Sequence, residues 1–162
     1  MNKHLCNVTL EHDWQPILLA DIEAAHSCIR FSALSMLPPR GTNISPWGKL
    51  WKALKAARAR AVEISVYLPT PQRAHPATLQ NATSAHIAHA LGWNVYLIEG
   101  PRLLHAKQFA IDNAIAWIGS ANLTAAAFNH NRERFVRIES AHIAATLLEY
   151  LNERVHAAYA NH

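Results

Sequence analysis

Six residues at fixed spacing constrain this chain more tightly than anything in its composition: His105-x-Lys107, then Asp112, then Gly119-Ser120-x-Asn122. At average residue usage, such a set arises by accident on the order of 10⁻⁶ times in a chain of this size. Extended, largely apolar segments flank Asp112-Asn113, a pair able to supply the positive φ values of a tight hairpin turn. The spacing predicts strands over 104–111 and 114–118, so most of the set lies on one hairpin.

Around that hairpin the chain alternates helical and extended patterns, the signature of an α/β layer architecture. Helical patterns cover 16–26, 46–61, 77–91 and 140–159, the second opening on Pro46 and the third closing at Gly92. Extended patterns cover 29–36, 62–68, 93–98 and 134–138, with turn-rich breaks at Pro38-Pro39-Arg40-Gly41 and Gly100-Pro101. A short helix or loop is expected from Asn122. With 162 residues, half of them hydrophobic and 16% charged, one globular domain with one well-buried core is expected. No run is long enough to cross a bilayer, and the first thirty residues lack the pattern of a cleaved signal peptide, so a soluble protein is expected. Cys6 and Cys28 are too few for a disulfide framework and wrongly spaced for zinc, which favours a reducing, cytoplasmic compartment.

The quoted residues resemble the His-Lys-Asp signature of the phospholipase D superfamily, in the form carried by its small, single-motif bacterial members. The order of elements is similar to that family over nearly the whole chain, and Asn131-Arg132-Glu133 falls where relatives commonly carry a downstream Asn-x-Glu. Two departures stand out: Ala61-Val62 where relatives often have Gly-Val, and Asn113 where a turn glycine is frequent. The resemblance implies a mixed β-sheet sandwiched between helices, as one phospholipase D-like domain over residues 1–162. It also implies an active site in which two motifs face each other. This chain has a single His-x-Lys, at His105, so a homodimer is implied, with two copies of His105 meeting across the two-fold axis. In such a site one His105 becomes a transient phosphohistidine while the other protonates the leaving oxygen and later activates water, with no metal and no cofactor. By its position in the motif, Glu133 would orient an imidazole through the far ring nitrogen. Asp112 would belong to the catalytic set by holding the hairpin and its partner groups in place.

Residue chemistry agrees with that picture. Two apart in a strand, His105 and Lys107 would point to one face, the first able to attack phosphorus and the second to neutralise a non-bridging oxygen. Asn122 can donate to the same oxygens. Ser120 and the backbone N–H groups after Gly119 would complete an anion cradle, with Gly119 letting the backbone approach closely. Catalytic roles therefore fall to His105, Lys107, Asp112, Ser120, Asn122 and Glu133, with Gly119, Arg132 and Arg134 as further substrate contacts. The cluster Arg132, Arg134 and Arg137 reads equally as a solvated edge or as a cleft lining for flanking phosphates. Two identical histidines that begin in different protonation states would share a proton, and activity would follow a bell-shaped pH profile.

Other features are weaker guides. Lys49, Lys52, Lys55, Arg58 and Arg60 share a helical stretch with the apolar stripe Trp47, Leu50, Trp51 and Leu54. The usual reading is a surface helix packed on a sheet; the other is a phosphate-tracking or membrane-surface role. His86 and His89 lie i, i+3 on one helix without a third ligand, so no metal site is expected there. Trp93 and Trp117 are expected in the core. A formal charge of +4 favours a polyanionic partner without choosing between nucleic acid and anionic lipid. Three function classes remain, led by a nuclease acting on DNA or RNA without stable membrane insertion, in a bacterial cytoplasm. A phospholipase D-type phospholipid hydrolase comes second, and a catalytically silent phosphate-binding or dimerisation module third.

Overall fold

Alternation of helix and strand along the chain builds a single mixed sheet. The structure is a computed structural model and describes residues 13–41 and 44–159. In chain order its elements are α1 (Trp14–Ala24), β1 (Cys28–Ser32), α2 (Pro46–Ala59), β2 (Glu63–Pro69), α3 (Asn81–Ala90), β3 (Asn94–Ile98), β4 (Lys107–Ile111), β5 (Ile115–Gly119), α4 (Ala125–Asn129), β6 (Phe135–Glu139) and α5 (Ala141–Tyr159). The sheet runs β3-β2-β1-β4-β5-β6. β1, β2 and β3 are parallel to one another, and β4, β5 and β6 are each antiparallel to their neighbours. This is the expected α/β class with a mixed sheet between helices.

Side chains alternate across the strands and so divide the core in two. Phe109 and Ile111 of β4, Trp117 of β5 and Phe135 of β6 enter the larger core beneath α1, α2, α3 and α4. Ala110 and Ala116 point the other way, onto Ala144 of α5. Trp93 and Trp117 are both buried, as their setting in apolar strands predicts. Cys28 is a buried free thiol, and Cys6 lies outside the described residues.

α2 starts where Ser45 accepts the Gly48 N–H at 3.1 Å and Pro46 presets the first turn. It buries Trp47, Leu50, Trp51 and Leu54, so its stripe packs in the core as the usual reading has it. Its two arginines serve neighbouring helices. The Arg60 guanidinium donates to the carbonyls of Glu23 (2.9 Å) and Ala25 (3.1 Å) at the end of α1, and Arg58 Nε donates to the Gly92 carbonyl (2.9 Å) after α3.

Three boundaries differ from the sequence expectation. β1 stops at Ser32 rather than near residue 36, because beyond Ala33, whose N–H still reaches the Tyr67 carbonyl of β2, the backbone is satisfied by the Asn81 and Ser84 side chains and by an isolated bridge between Met36 and Leu123. The Asn81 amide donates to the carbonyls of Leu34 (2.9 Å) and Pro69 (3.0 Å) and accepts the Met36 N–H (3.2 Å). The third helix opens as a short 3-10 turn, Pro76–Thr78, before α3 begins at that same Asn81. β4 begins at Lys107, leaving His105 in irregular backbone just ahead of the strand.

α2 and α3 end in the same way. After α3 the N–H of Trp93 reaches the Ala88 carbonyl (3.1 Å) and that of Gly92 the His89 carbonyl (2.9 Å); after α2 the N–H of Val62 reaches Ala57 (3.1 Å) and that of Ala61 reaches Arg58 (3.0 Å). Both closures need a left-handed residue, and they have Gly92 at φ 78° and Ala61 at φ 68°. Ala61 carries the Cβ penalty that Gly92 avoids. Ala61→Gly is therefore expected to stabilise the fold by about 1 kcal/mol, read as a higher urea midpoint at unchanged m-value.

Candidate active site

The sequence-predicted residues gather at the edge of the sheet where the parallel strands end, the position at which open α/β sheets place ligands. Register brings them there. Lys107, the first residue of β4, is paired with Gly119, the last of β5, and Gly119 with Phe135, the first of β6. A Cβ at position 119 would lie 2.5 Å from the Phe135 ring and still closer to the Arg134 carbonyl, so only glycine allows these strands to approach.

Lys107 is buried and turned onto His105, which is exposed. Its Nζ lies 2.8 Å from His105 Nδ1 and 3.3 Å from Nε2, and donates to the His105 carbonyl at 2.7 Å. Their meeting does not come from strand alternation, since His105 precedes β4; Lys107 instead curls back over the preceding turn. The Ser32 hydroxyl holds that turn from β1 by donating to the Ala106 carbonyl at 3.0 Å. Desolvation lowers the His105 pKa below the ordinary histidine value, and the Lys107 charge lowers it further. Burial also lowers the Lys107 pKa, against the pull of the Glu133 carboxylate. The arrangement is a neutral imidazole beside a cation, suited to attack on a group bearing negative oxygens.

Ser120 and Glu133 form a second unit. The Ser120 hydroxyl donates to Glu133 Oε2 and accepts the Arg134 N–H at 3.1 Å, while the Asn131 amide donates to Glu133 Oε1 at 3.0 Å. Within the chain both Glu133 oxygens are thus engaged by Ser120 and Asn131, and not by the His105 ring as the motif position suggested. The expected backbone cradle is also partly spent, since the Ser120 N–H donates to Arg134 O (3.0 Å) and the Leu123 N–H to Ser35 O (3.0 Å).

Asn122 sits between two buried residues, Ala121 and Leu123. The Leu123 carbonyl accepts the Leu37 N–H at 2.9 Å, which ties this segment to the stretch that Asn81 organises. The Asn122 Oδ1 is buried without a partner among the described residues. That atom is an acceptor, so it is the amide nitrogen and not the orphaned oxygen that can donate to an anion. Asn81 and Ser35, which hold this segment, have no signature in the sequence.

Asp112 does not join the site. It lies at the far end of β4 from Lys107, roughly 15 Å away at strand rise. There it accepts the backbone N–H groups of His26 (3.1 Å), Ser27 (2.8 Å) and Cys28 (3.0 Å). Burial pushes its pKa up, but those three N–H groups together with His26 outweigh it and hold the carboxyl below the usual range. It holds the hairpin in place, the role expected of it from the sequence, and does so as a scaffold residue away from His105 and Lys107. The arginines also divide: Arg132 and Arg134 are exposed on either side of Glu133, whereas Arg137 turns under β6 to pair with Asp21 at 2.7 Å and with Glu139. Among the described residues no three His, Cys, Asp or Glu side chains gather as a metal would need.

Fold and site together define a phosphodiesterase of the phospholipase D superfamily. More narrowly, the chain belongs to the family described as "Cardiolipin synthase, PLD-like domain", whose model matches residues 18–155. Among solved structures it is similar to Nuc from Salmonella typhimurium, a phospholipase D family member, at 25% identity and TM-score 0.71, covering 93% of this chain and 94% of that one. NucT from Helicobacter pylori shares the fold at 14% identity and TM-score 0.63, covering 94% and 96%. Phosphatidylserine synthase from Haemophilus influenzae shares it at 14% identity and TM-score 0.70, covering 96% of this chain but 37% of the synthase. No curated protein sequence matches the chain.

Two outcomes follow from this geometry. Asp112→Ala should cost about 2–3 kcal/mol of stability and Asp112→Asn about 1 kcal/mol, since asparagine keeps an acceptor and tolerates φ 52°. Because the folded pKa is depressed, the wild-type advantage is full above the ordinary carboxylate pKa of about 3.9 and is lost as pH falls through the folded value; urea melts of wild type and Asp112→Asn should converge there. The His105 ring followed by NMR should titrate below pH 6.5, and Lys107→Met should move it upward only in part, because desolvation, the larger cause, remains.

Proposed function

We propose that the chain is a nuclease that hydrolyses the backbone of DNA or RNA through a phosphohistidine intermediate, in an active site shared by two copies of the chain. The observation that carries this reading is the contact of the Lys107 ammonium with the His105 ring, 2.8 Å from Nδ1. The likeness to Nuc, at 25% identity and TM-score 0.71, supports the nuclease reading, whereas the phosphatidylserine synthase, at 14% identity, shares the fold alone.

In the proposed reaction the unprotonated ring nitrogen of His105 attacks phosphorus as the bond to the leaving oxygen breaks, the ring's own proton staying on its other nitrogen, and the protonated His105 of the partner subunit gives its proton to that oxygen. Water then attacks the phosphohistidine. Its proton returns to the partner's His105, its oxygen bonds to phosphorus, and the first imidazole leaves neutral, so both groups regain their starting state. Lys107 shifts from the ring to a non-bridging oxygen as substrate enters, and Asn122 donates to the same phosphate. Ser120, fixed by Glu133, lies beside them, and the exposed Arg132 and Arg134 are available to flanking phosphates. Half of the acid–base pair comes from each copy, so a lone chain is incomplete.

A phospholipid hydrolase is the second reading, favoured by the family description and by the fold shared with the synthase. Cleavage of single- and double-stranded DNA and RNA in excess EDTA separates the two. Wild type should cut, while His105→Ala and Lys107→Ala should each lose at least about 10³-fold in kcat. Hydrolysis of a phospholipid panel with silence on every nucleic acid would transfer the assignment to lipid.

A further inference from the structure

Charge is distributed very unevenly along this chain. Between Ala24 and Ile98 there are eight Lys and Arg residues and one acidic residue, Glu63, whereas the rest of the chain has seven against ten. Glu63 is already paired with Arg30 at 3.2 Å. The excess is concentrated on α2. Arg58 and Arg60 are committed to carbonyls of neighbouring helices, but Lys49, Lys52 and Lys55 are exposed and take part in no ion pair among the described residues. They follow one another at i, i+3 and i+6, a stripe about 9 Å long at helical rise.

The stripe starts near the candidate site. Trp47, half a turn before Lys49, donates its ring N–H to the Leu37 carbonyl at 2.8 Å and packs on Phe128 of α4 at a centroid distance of 5.0 Å. Leu37 is bonded to Leu123, next to Asn122, and α4 is the helix that follows Asn122. From there α2 runs away towards the opposite edge of the sheet, where Arg60 meets the end of α1.

We propose that Lys49, Lys52 and Lys55 form a track for the phosphate backbone of a nucleic-acid strand beyond the scissile phosphate. The inference rests on the nuclease reading and extends it from the cleavage site to the rest of the substrate. A membrane surface fits less well, because a helix lying in a bilayer interface needs an exposed apolar face. α2 has none to offer: Trp47, Leu50, Trp51 and Leu54 are all buried in the core. At about 3.4 Å per nucleotide along a duplex strand, the stripe spans two or three phosphates.

The test compares wild type with the triple variant Lys49→Gln, Lys52→Gln, Lys55→Gln on two substrates, a 40-residue DNA or RNA strand and bis(p-nitrophenyl) phosphate. Exposed lysines can be replaced without disturbing the core, and an unchanged thermal midpoint checks this. On the long strand the variant should show KM raised about tenfold or more, and the slope of log binding against log salt should fall by about 2. On the small diester kcat/KM should be unchanged. Equal loss on both substrates, or no loss on the strand, would overturn the track while leaving the nuclease reading intact. If wild type cleaves only the small diester, and lysine-dependent binding is seen only on vesicles containing phosphatidylglycerol, both the track and the nuclease reading fall. His105→Ala, which should bind the strand with the full salt slope and not cut it, separates binding from chemistry.

Discussion

The Asp112 carboxylate accepts the backbone N–H groups of His26, Ser27 and Cys28, and through them it joins the β4–β5 turn to the start of β1. That junction fixes register. β1 pairs with β4 so that Ile29 faces Ile111 and Ser32 faces Gln108, and β5 then sets Gly119 against Lys107. A slip of one residue would move Phe109 and Ile111 out of the larger core and send Lys107 to the α5 face. A polar contact at one edge of the sheet thus decides which side chain is presented at the other.

The opposite edge is organised by buried polar groups as well. Asn81 and Ser84 are almost fully buried, and each binds backbone between Leu34 and Met36, Ser84 donating to the Met36 carbonyl at 2.5 Å. Burying such groups is costly unless every bond is made, and here the bonds are made to a stretch whose pairing is a single isolated bridge, Met36 with Leu123. That stretch in turn holds Leu123, and with it Asn122. The segment around the motif is therefore braced from three directions, by β1, by α3 and by β6.

How legible this was depended on the range of the interaction. The hairpin is read directly: Asp112 and Asn113 take φ values of 52° and 55°, as a tight turn of that type requires, and the strands meet the turn where expected although β4 starts three residues late. Pro46 and Gly92 marked their helix ends because each acts through its own backbone. The sequence misleads where a distant side chain intervenes. The stretch 33–36 has strand-like composition, yet Asn81, 45 residues beyond Met36, satisfies its backbone. Glu133 was placed in the right region by the motif, but its partners Ser120 and Asn131 depend on where β6 begins. The holding role of Asp112 is legible in the motif, but its partners, the backbone N–H groups of His26, Ser27 and Cys28, are 84 to 86 residues away in sequence and are not. Arg58 and Arg60 look like members of one basic stripe, and only tertiary contact shows that they close α3 and α1.

The position of β1 bears on how the chain is made. It lies in the middle of the sheet, with β2 on one side and β4 on the other. Its parallel partner follows closely in sequence, but the side later filled by β4 stays open until the 107–111 segment has left the ribosome. That interval covers about 75 residues, or roughly 4 to 15 seconds at ordinary rates of synthesis. During it the nascent chain exposes an unpaired edge beside Ile29 and Phe31, two residues destined for the core. The hairpin that carries the candidate chemistry is thus also the piece that seals the sheet, and a chain released before it emerges would be left with an adhesive central strand.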